Sequence, residues 1–308
     1  MNRTLILGTR GSRLALWQAH HVRDLIAALA PDVQLEIRTI KTQGDRIQDR
    51  PLSQVGGTGL FVKEIEEALH RREIDFAVHS MKDLPTAQPD GLVIAAVSER
   101  EQPFDMLVTA YGTKLAQLPE GARVGTSSPR RAAQLMHRRR DLRVADLRGN
   151  VDTRVKKLLA GEYDAIVLAE AGLKRLGIEG IQPVRLTPDE MLPCAGQGAL
   201  GIETRADDAD CRAVIARLEH ALARREVDAE RALLAALGGG CSAPIGTLAR
   251  EEGGRMRIAG AVGDPAGTRL VRSEITGDPA DGVSMARQLA KELISMGAGD
   301  LVRTGKQV

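Results

Sequence analysis

Long apolar runs, pairable cysteines and aromatic side chains are all scarce in this 308-residue chain. Near the N-terminus the only apolar run, Leu5-Ile6-Leu7, ends at Gly8 and is too short for the core of an export signal. No stretch approaches the roughly 18 uninterrupted apolar residues that a membrane helix needs. The expectation is a soluble, cytoplasmic protein with no membrane partner. Three cysteines, Cys194, Cys211 and Cys241, form no C-x-x-C pair and leave one over, which argues against a disulfide framework and a structural zinc site and fits a reducing compartment. There is no H-E-x-x-H and no Walker sequence, and the adjacent His20 and His21 project in different directions on a helix, so no metal is expected. Nine arginines crowd the segment between Tyr111 and Tyr163 without one aromatic ring among them. Single-stranded nucleic acid usually needs stacking rings beside its cations, so nucleic acid is not an expected partner.

What is present is a long alternation of extended and helical patterns, too long for one hydrophobic core. Strands are predicted at Leu5–Leu7, Val33–Ile40, Ile74–His79 and Leu92–Val97, with helices from Arg13 and from Leu60. The rhythm restarts at Asp105–Thr109 and runs through Arg123–Gly125, a helix to about Arg139, Leu142–Leu147, a helix to Ala160 and Asp164–Ala169. An amphipathic stretch over Asp207–Leu237 then leads to strands near Ile245–Ala249, Met256–Val262 and Arg269–Thr276 and a helix over Gly282–Met296. The fold class is therefore α/β, with two α/β domains and a smaller α+β third one.

Two strand-to-helix turns share a design: Gly8-Thr9-Arg10-Gly11-Ser12-Arg13 and Gly125-Thr126-Ser127-Ser128-Pro129-Arg130-Arg131. Glycine frees the turn, Ser caps the helix, Pro129 suits a first helical position, and the open N–H groups with the positive dipole end attract an anion. Arginine adds bidentate carboxylate binding. One such turn alone reads equally well as an ordinary cap, but two in consecutive α/β domains point to an anionic ligand held at the carboxyl ends of the strands.

Other motifs separate by context. Gly196-Gln197-Gly198-Ala199-Leu200-Gly201 fits the dinucleotide pattern, yet Pro193 interrupts the segment before it and no strand leads in. Asp83, in His79-Ser80-Met81-Lys82-Asp83-Leu84-Pro85, sits at a strand end where α/β proteins keep working groups, and is a candidate catalytic carboxylate or a cap of the turn before Pro85. Gly56-Gly57-Thr58-Gly59, after the polar run Gln43–Gln54, reads as a lid hinge or a plain surface loop. Cys241 follows three glycines, so it belongs on an exposed turn, whereas Cys194 and Cys211 read as buried hydrophobes. No histidine nearby in sequence activates Cys241, which suits a modification site better than a turnover nucleophile.

Taken in order, Gly8-Thr9-Arg10, Ala15-Leu16-Trp17-Gln18-Ala19, Gly59-Leu60-Phe61-Val62-Lys63-Glu64, Val78 to Asp83, Gly125 to Ser128, Leu147-Arg148-Gly149-Asn150 and Gly240-Cys241 closely resemble the porphobilinogen deaminase family, across nearly the whole chain. The resemblance implies two periplasmic-binding-protein-like α/β domains with a cleft between them: residues 1–98 with 199–217, and residues 103–194. A C-terminal domain over 221–308 follows, with hinges near Ser98–Pro103, Met191–Gly198 and Leu218–Ala223. It implies a monomeric transferase of porphyrin and haem biosynthesis that condenses four porphobilinogen molecules, with loss of ammonia, into the linear tetrapyrrole hydroxymethylbilane. The primer is a dipyrromethane cofactor tethered through Cys241.

On the same resemblance Asp83 is the catalytic carboxylate. Lys82, Ser80, Thr126, Ser127, Ser128, Arg130, Arg131, Arg148 and Asn150 are expected at the cofactor, and Arg10, Ser12, Arg148, Arg154, Arg175, Phe61 and Gln197 at the substrate. Gln54 and Thr58 stand where many relatives carry lysines, which implies a lid with less positive charge.

Overall fold

A computed structural model describes residues 4–46, 62–240, 243–264 and 266–304. The proposed lid around Gly56–Gly59 with Gln54 and Thr58, the aromatic Phe61, and Cys241 lie outside the described residues. Thirteen strands are described: β1 Leu5–Thr9, β2 Leu35–Thr39, β3 Phe76–Ser80, β4 Leu92–Val97, β5 Asp105–Thr109, β6 Arg123–Gly125, β7 Arg143–Ala145, β8 Ala165–Ala169, β9 Gln182–Arg185, β10 Leu200–Arg205, β11 Ile245–Glu252, β12 Arg255–Gly263 and β13 Leu270–Gly277. The chain divides into two compact units, residues 1–101 with 199–224 and residues 102–198 with 225–308.

The first unit is built on one five-stranded sheet in the order β2-β1-β3-β10-β4. β1 pairs in parallel with β2 and β3, while β10 runs antiparallel between β3 and β4. On one side the helix Arg13–Leu29 buries Ala19, Val22 and Ile26 against Leu5, Leu7 and Phe76. On the other, the helix Lys63–His70 buries Ile65 and Leu69 with Ile74 and Ala77. Both faces of the sheet are covered, as parallel strands require. Each such Leu or Ile withdrawn from water contributes about 1.5–3 kcal/mol.

The second unit repeats that plan. Its sheet has the order β7-β6-β8-β5-β9, with β6 parallel to β7 and β8 and with β5 antiparallel between β8 and β9. The turns after β1 and after β6 thus occupy the same place in two sheets of one topology. This unit also holds the antiparallel sheet β11-β12-β13, covered by the helices Ala221–Ala236 and Gly282–Ser295. Leu192 packs with Leu248, Ala259 and Ala261 of that sheet, and Glu230 accepts from Gly196 N at 2.7 Å and Ala249 N at 2.9 Å.

Most predicted elements stand where periodicity puts them. The amphipathic stretch Asp207–Leu237 holds more than one element. It breaks into Ala209–Ile215, a tight turn at Ala216–Leu218, and Ala221–Ala236, with Asp208 capping the first helix through Cys211 N. The short strand β9 and the helix Glu170–Leu176 have no counterpart in the periodicity. Most consequential is β10, also unpredicted, in which all six residues are buried, Glu203, Thr204 and Arg205 included. A central strand carrying partnered polar groups shows no apolar alternation. Among the described residues no helix is long and apolar enough to cross a membrane.

Candidate functional site

The carboxyl end of β3 carries the chemistry of the first unit. Its last residue, Ser80, leads into a single tight turn, Met81–Asp83. Met81 is buried, its N–H donates to Ala199 O at 3.0 Å, and its side chain fills the space that a Cβ on Gly201 would take, 2.3 Å from Met81 Sδ. Glycine at 201 therefore lets β10 approach the turn closely and hold it. Asp83, at the end of that turn, is half-buried and its side chain makes no hydrogen bond or ion pair among the described residues.

Asp83 opens on a cavity whose polar lining is otherwise Arg10, Ser12, Gln18, His79 and Ser80, closed below by Leu14, Ala15, Val62, Ile65 and Val78. Its polar parts are braced. Ser12 caps the helix Arg13–Leu29 through Ala15 N at 3.3 Å, and Thr9 Oγ1 donates to Ala15 O at 3.1 Å. Gln18 Nε2 donates to Ser80 Oγ at 2.9 Å. The cavity is thus a set of donors with one arginine, Arg10, and one carboxylate, an arrangement that takes an anionic ligand and leaves Asp83 for a developing positive charge.

Behind the cavity, His79 Nε2 lies 3.1 Å from Glu203 Oε2, both residues being buried. Glu66, on the helix Lys63–His70, is electrostatically coupled to both. Burial first, then the Glu203 charge, pushes the Glu66 carboxyl above its ordinary value, with His79 opposing.

In the second unit, the turn after β6 is ordered by its own hydroxyls. Thr126 Oγ1 accepts from Ser128 N at 3.2 Å, and Ser128 caps the helix Pro129–Arg138 through Arg131 N at 3.5 Å, with Pro129 in its first turn. Ser127 Oγ both donates to Leu147 O and accepts from Leu147 N, at 3.0 Å each, which draws the loop carrying Arg148 to the serine turn. Gly149 makes the bend after Arg148 with φ +108°, where a Cβ would also meet Thr153 at 2.7 Å. The Arg148 side chain is half-buried and has no hydrogen bond or ion pair among the described residues. Arg154 Nε donates to Gly149 O at 2.8 Å, and Arg175 Nη2 to Gly198 O at 2.6 Å. Asn150 is exposed at the start of the helix Val151–Leu159 and makes no capping bond with its side chain.

Three residues expected at the ligands have internal partners. Arg130 and Arg131, read from the sequence as open carboxylate donors, are buried around Asp105. Arg130 Nη1 donates to Asp105 Oδ2 at 2.6 Å and Leu192 O at 2.8 Å, while Arg131 donates through Nε and Nη2 to Asp105 Oδ1 and through Nη1 to Val167 O. Gln197 is buried too, its Nε2 shared by Pro103 O, Phe104 O and Asp105 Oδ1. The reason is Asp105 itself: a carboxylate with no exposure at the start of β5 needs cationic neighbours, and these are what the fold supplies.

Sequence reasoning passed over Asp105, Gln18, Glu66 and Glu203, and treated His79 only as part of a motif. The signal available for Glu203 was an acidic residue directly after the apolar run from Ala199 to Ile202, where a charge needs a buried partner. The run Gly196–Gly201 leads into β10 and opens no helix, the reverse of a dinucleotide turn.

Two sequence models of one family match the chain. "Porphobilinogen deaminase, dipyromethane cofactor binding domain" covers residues 5–213, and "Porphobilinogen deaminase, C-terminal domain" covers residues 224–295. A porphobilinogen deaminase of Nitratidesulfovibrio vulgaris (strain DSM 19637 / Miyazaki F) is 50% identical over 303 residues, 97% of this chain and 96% of its own. One from Roseiflexus sp. (strain RS-1) is 49% identical over 302 residues, 98% of this chain and 99% of its own. Among solved structures, an ancestral arginine-binding protein bound to glutamine aligns over 71% of this chain and 91% of its own, at 17% identity and TM-score 0.39.

Proposed function

The chain belongs to the porphobilinogen deaminase family, and we propose that the Asp83 cavity is where it carries out that family's reaction. The reaction is a transfer in porphyrin biosynthesis: four porphobilinogen molecules are joined head to tail, with loss of ammonia, into hydroxymethylbilane. The dipyrromethane cofactor, when bound, supplies the pyrrole chain to which new rings are added.

The observation that carries the reading is the single carboxylate, Asp83, among the donors Arg10, Ser12, Gln18, His79 and Ser80. Every pyrrole of this substrate bears an acetate and a propionate, so a ring brings two negative charges to a donor-lined cavity. Arg10 and Ser12 hold those carboxylates and orient the ring. On the resemblance alone, Arg154 and Arg175 are also assigned to the substrate. Loss of ammonia leaves the substrate's pyrrole cationic, and Asp83, fixed by the buried Met81, offers charge opposite in sign where that charge develops. Its half-buried oxygens also serve to take a proton.

The donors around the turn after β6 fit a cofactor of the same carboxylate-rich type. Arg148, held beside Ser127 through Leu147 and without an internal partner among the described residues, is the cation directed to it, with Ser128 and Thr126 supplying backbone and hydroxyl donors and Asn150 at the loop's far end. On the resemblance alone, Ser80 and Lys82 are also assigned to the cofactor. Arg130 and Arg131 contribute by locking the helix that Ser128 caps onto Asp105. Cys241, on the resemblance alone, is the thioether tether. Phe61 is assigned to the growing chain on the same ground. The three sheets are taken as three domains, and the enzyme as a cytoplasmic monomer.

Asp83→Asn tests the reading. It is expected to keep fold and cofactor load, checked by intact-protein mass, and to lower kcat by about 100- to 1000-fold. Near-normal turnover overturns the assignment. Cys241→Ser is expected to abolish the mass increment of the dipyrrole, and a full increment in that variant removes Cys241 as the tether.

A further inference from the structure

Along the helix Arg13–Leu29, Leu14 and Ala15 close the Asp83 cavity, while Ala19, Val22 and Ile26 pack on the sheet. Between these two apolar sets stands Gln18, only 3% exposed. An amide in such a place costs stability unless its polar atoms are bonded, and an apolar side chain would suit the helix face better. Gln18 makes one side-chain bond among the described residues: its Nε2 donates to Ser80 Oγ at 2.9 Å. The buried amide is thus directed at a single atom, and that atom lines the cavity.

The backbone of Ser80 is set by strand pairing. It ends β3 opposite Leu200 of β10, and the next residue, Met81, donates from N to Ala199 O at 3.0 Å. Its side chain is not fixed by that pairing, because a serine hydroxyl has three staggered positions to choose from. The hydroxyl does not cap the turn Met81–Asp83, and Gln18 is its one partner among the described residues. Since the amide donates, the hydroxyl keeps its own proton for a second bond. Ser80 stands three residues before Asp83 on the wall of the same cavity, so a carboxylate bound there is an acceptor within that proton's field.

We propose that Gln18 is a positioning residue of the Asp83 cavity: it holds the Ser80 hydroxyl in the rotamer that donates to an acetate or propionate carboxylate of the bound pyrrole ring. The proposal rests on the Asp83 cavity being the reaction site. It accounts for an amide kept where the fold favours an apolar residue, since without it the hydroxyl turns among its three positions. It also divides the labour of the cavity wall. Arg10 and Ser12 meet the ligand's charge themselves, whereas Gln18 acts through Ser80.

The test is a double-mutant cycle on the holoenzyme with porphobilinogen as substrate, comparing Gln18→Met, Ser80→Ala and the double variant, with turnover counted per cofactor-loaded molecule by intact-protein mass. In each single variant kcat/KM is expected to fall about tenfold, mainly through KM, the scale of one hydrogen bond to a charged group. The double variant is expected to fall no further than Ser80→Ala, because Gln18 then has nothing left to position. A purely structural effect of losing Gln18 would persist in the Ser80→Ala background. Gln18→Leu, a second apolar replacement, is expected to repeat the result and serves where methionine disturbs the packing. Unchanged kcat/KM in either single variant overturns the proposal, as does a double variant whose loss is the product of the two, about 100-fold. Asp83→Asn, run in parallel, separates the two readings: loss of kcat there with multiplying losses at Gln18 and Ser80 sinks only the role of Gln18, and undiminished kcat there sinks the site.

Discussion

Arg131 places both Nε and Nη2 on one oxygen of Asp105, at 3.1 and 2.7 Å, while Arg130 takes the other oxygen at 2.6 Å. Burial by itself would raise the Asp105 pKa, but the two guanidinium groups and the Gln197 amide hold it well below the usual carboxylate range. The cluster joins β5 to the helix whose N-terminus carries Ser128.

Asp105→Asn is therefore expected to strand two buried cations and to destabilise the protein by about 3–5 kcal/mol, measured by urea unfolding. A depressed carboxyl stabilises the fold fully above its unfolded pKa, and that contribution is lost as pH falls from about 4 toward the folded value. The stability gap between parent and variant should shrink as pH falls below about 4. A variant as stable as the parent at pH 7 contradicts the cluster's role.

Glu66 has the opposite sign. A carboxyl raised by burial and by the Glu203 charge binds its proton more tightly folded than unfolded, so stability is greatest below the ordinary value of 4.5 and declines as pH climbs from there through the raised value. Glu66→Gln removes that decline. The Tm of the variant relative to the parent is expected to rise as pH goes from 4.5 to 7, by thermal unfolding at fixed ionic strength. A difference independent of pH would show that Glu66 does not titrate in this window.

The thiols should separate by reactivity. Cys211 is fully buried, its Sγ 3.6 Å from Thr204 Oγ1 and 3.7 Å from Asp75 O, and burial foremost pushes its pKa up to about 11. Cys194, expected from the sequence to be buried, is half-buried. Native holoenzyme treated with iodoacetamide at pH 8 should carry the label on Cys194 and gain it on Cys211 only after unfolding, as read by peptide mass spectrometry. Equal native labelling of both would contradict the burial of Cys211.

What the sequence determined by itself was whatever depends on neighbours along the chain. Glycine, Ser12, Ser128 and Pro129 mark the two helix starts because a cap and its orphan N–H groups lie within three residues. The helix Arg13–Leu29 followed from periodicity, since one covered face imposes it, and strands such as Leu92–Val97 from a short continuous apolar run. The motif ending in Asp83 was legible for the same local reason. Tertiary structure alone decided which charges are available. Arg130, Arg131 and Arg148 look alike in the sequence, yet the first two are bound to Asp105 across about 25 residues while Arg148 has no internal partner among the described residues. β10 escaped notice because Glu203, Thr204 and Arg205 find their partners on strands and loops more than 100 residues earlier in the chain. A buried ion pair exists only once two distant segments meet, so periodicity carries no trace of it. That is why Arg10, Ser12 and Ser80 of the Asp83 cavity could be expected from the sequence, and the His79–Glu203 pair behind it could not.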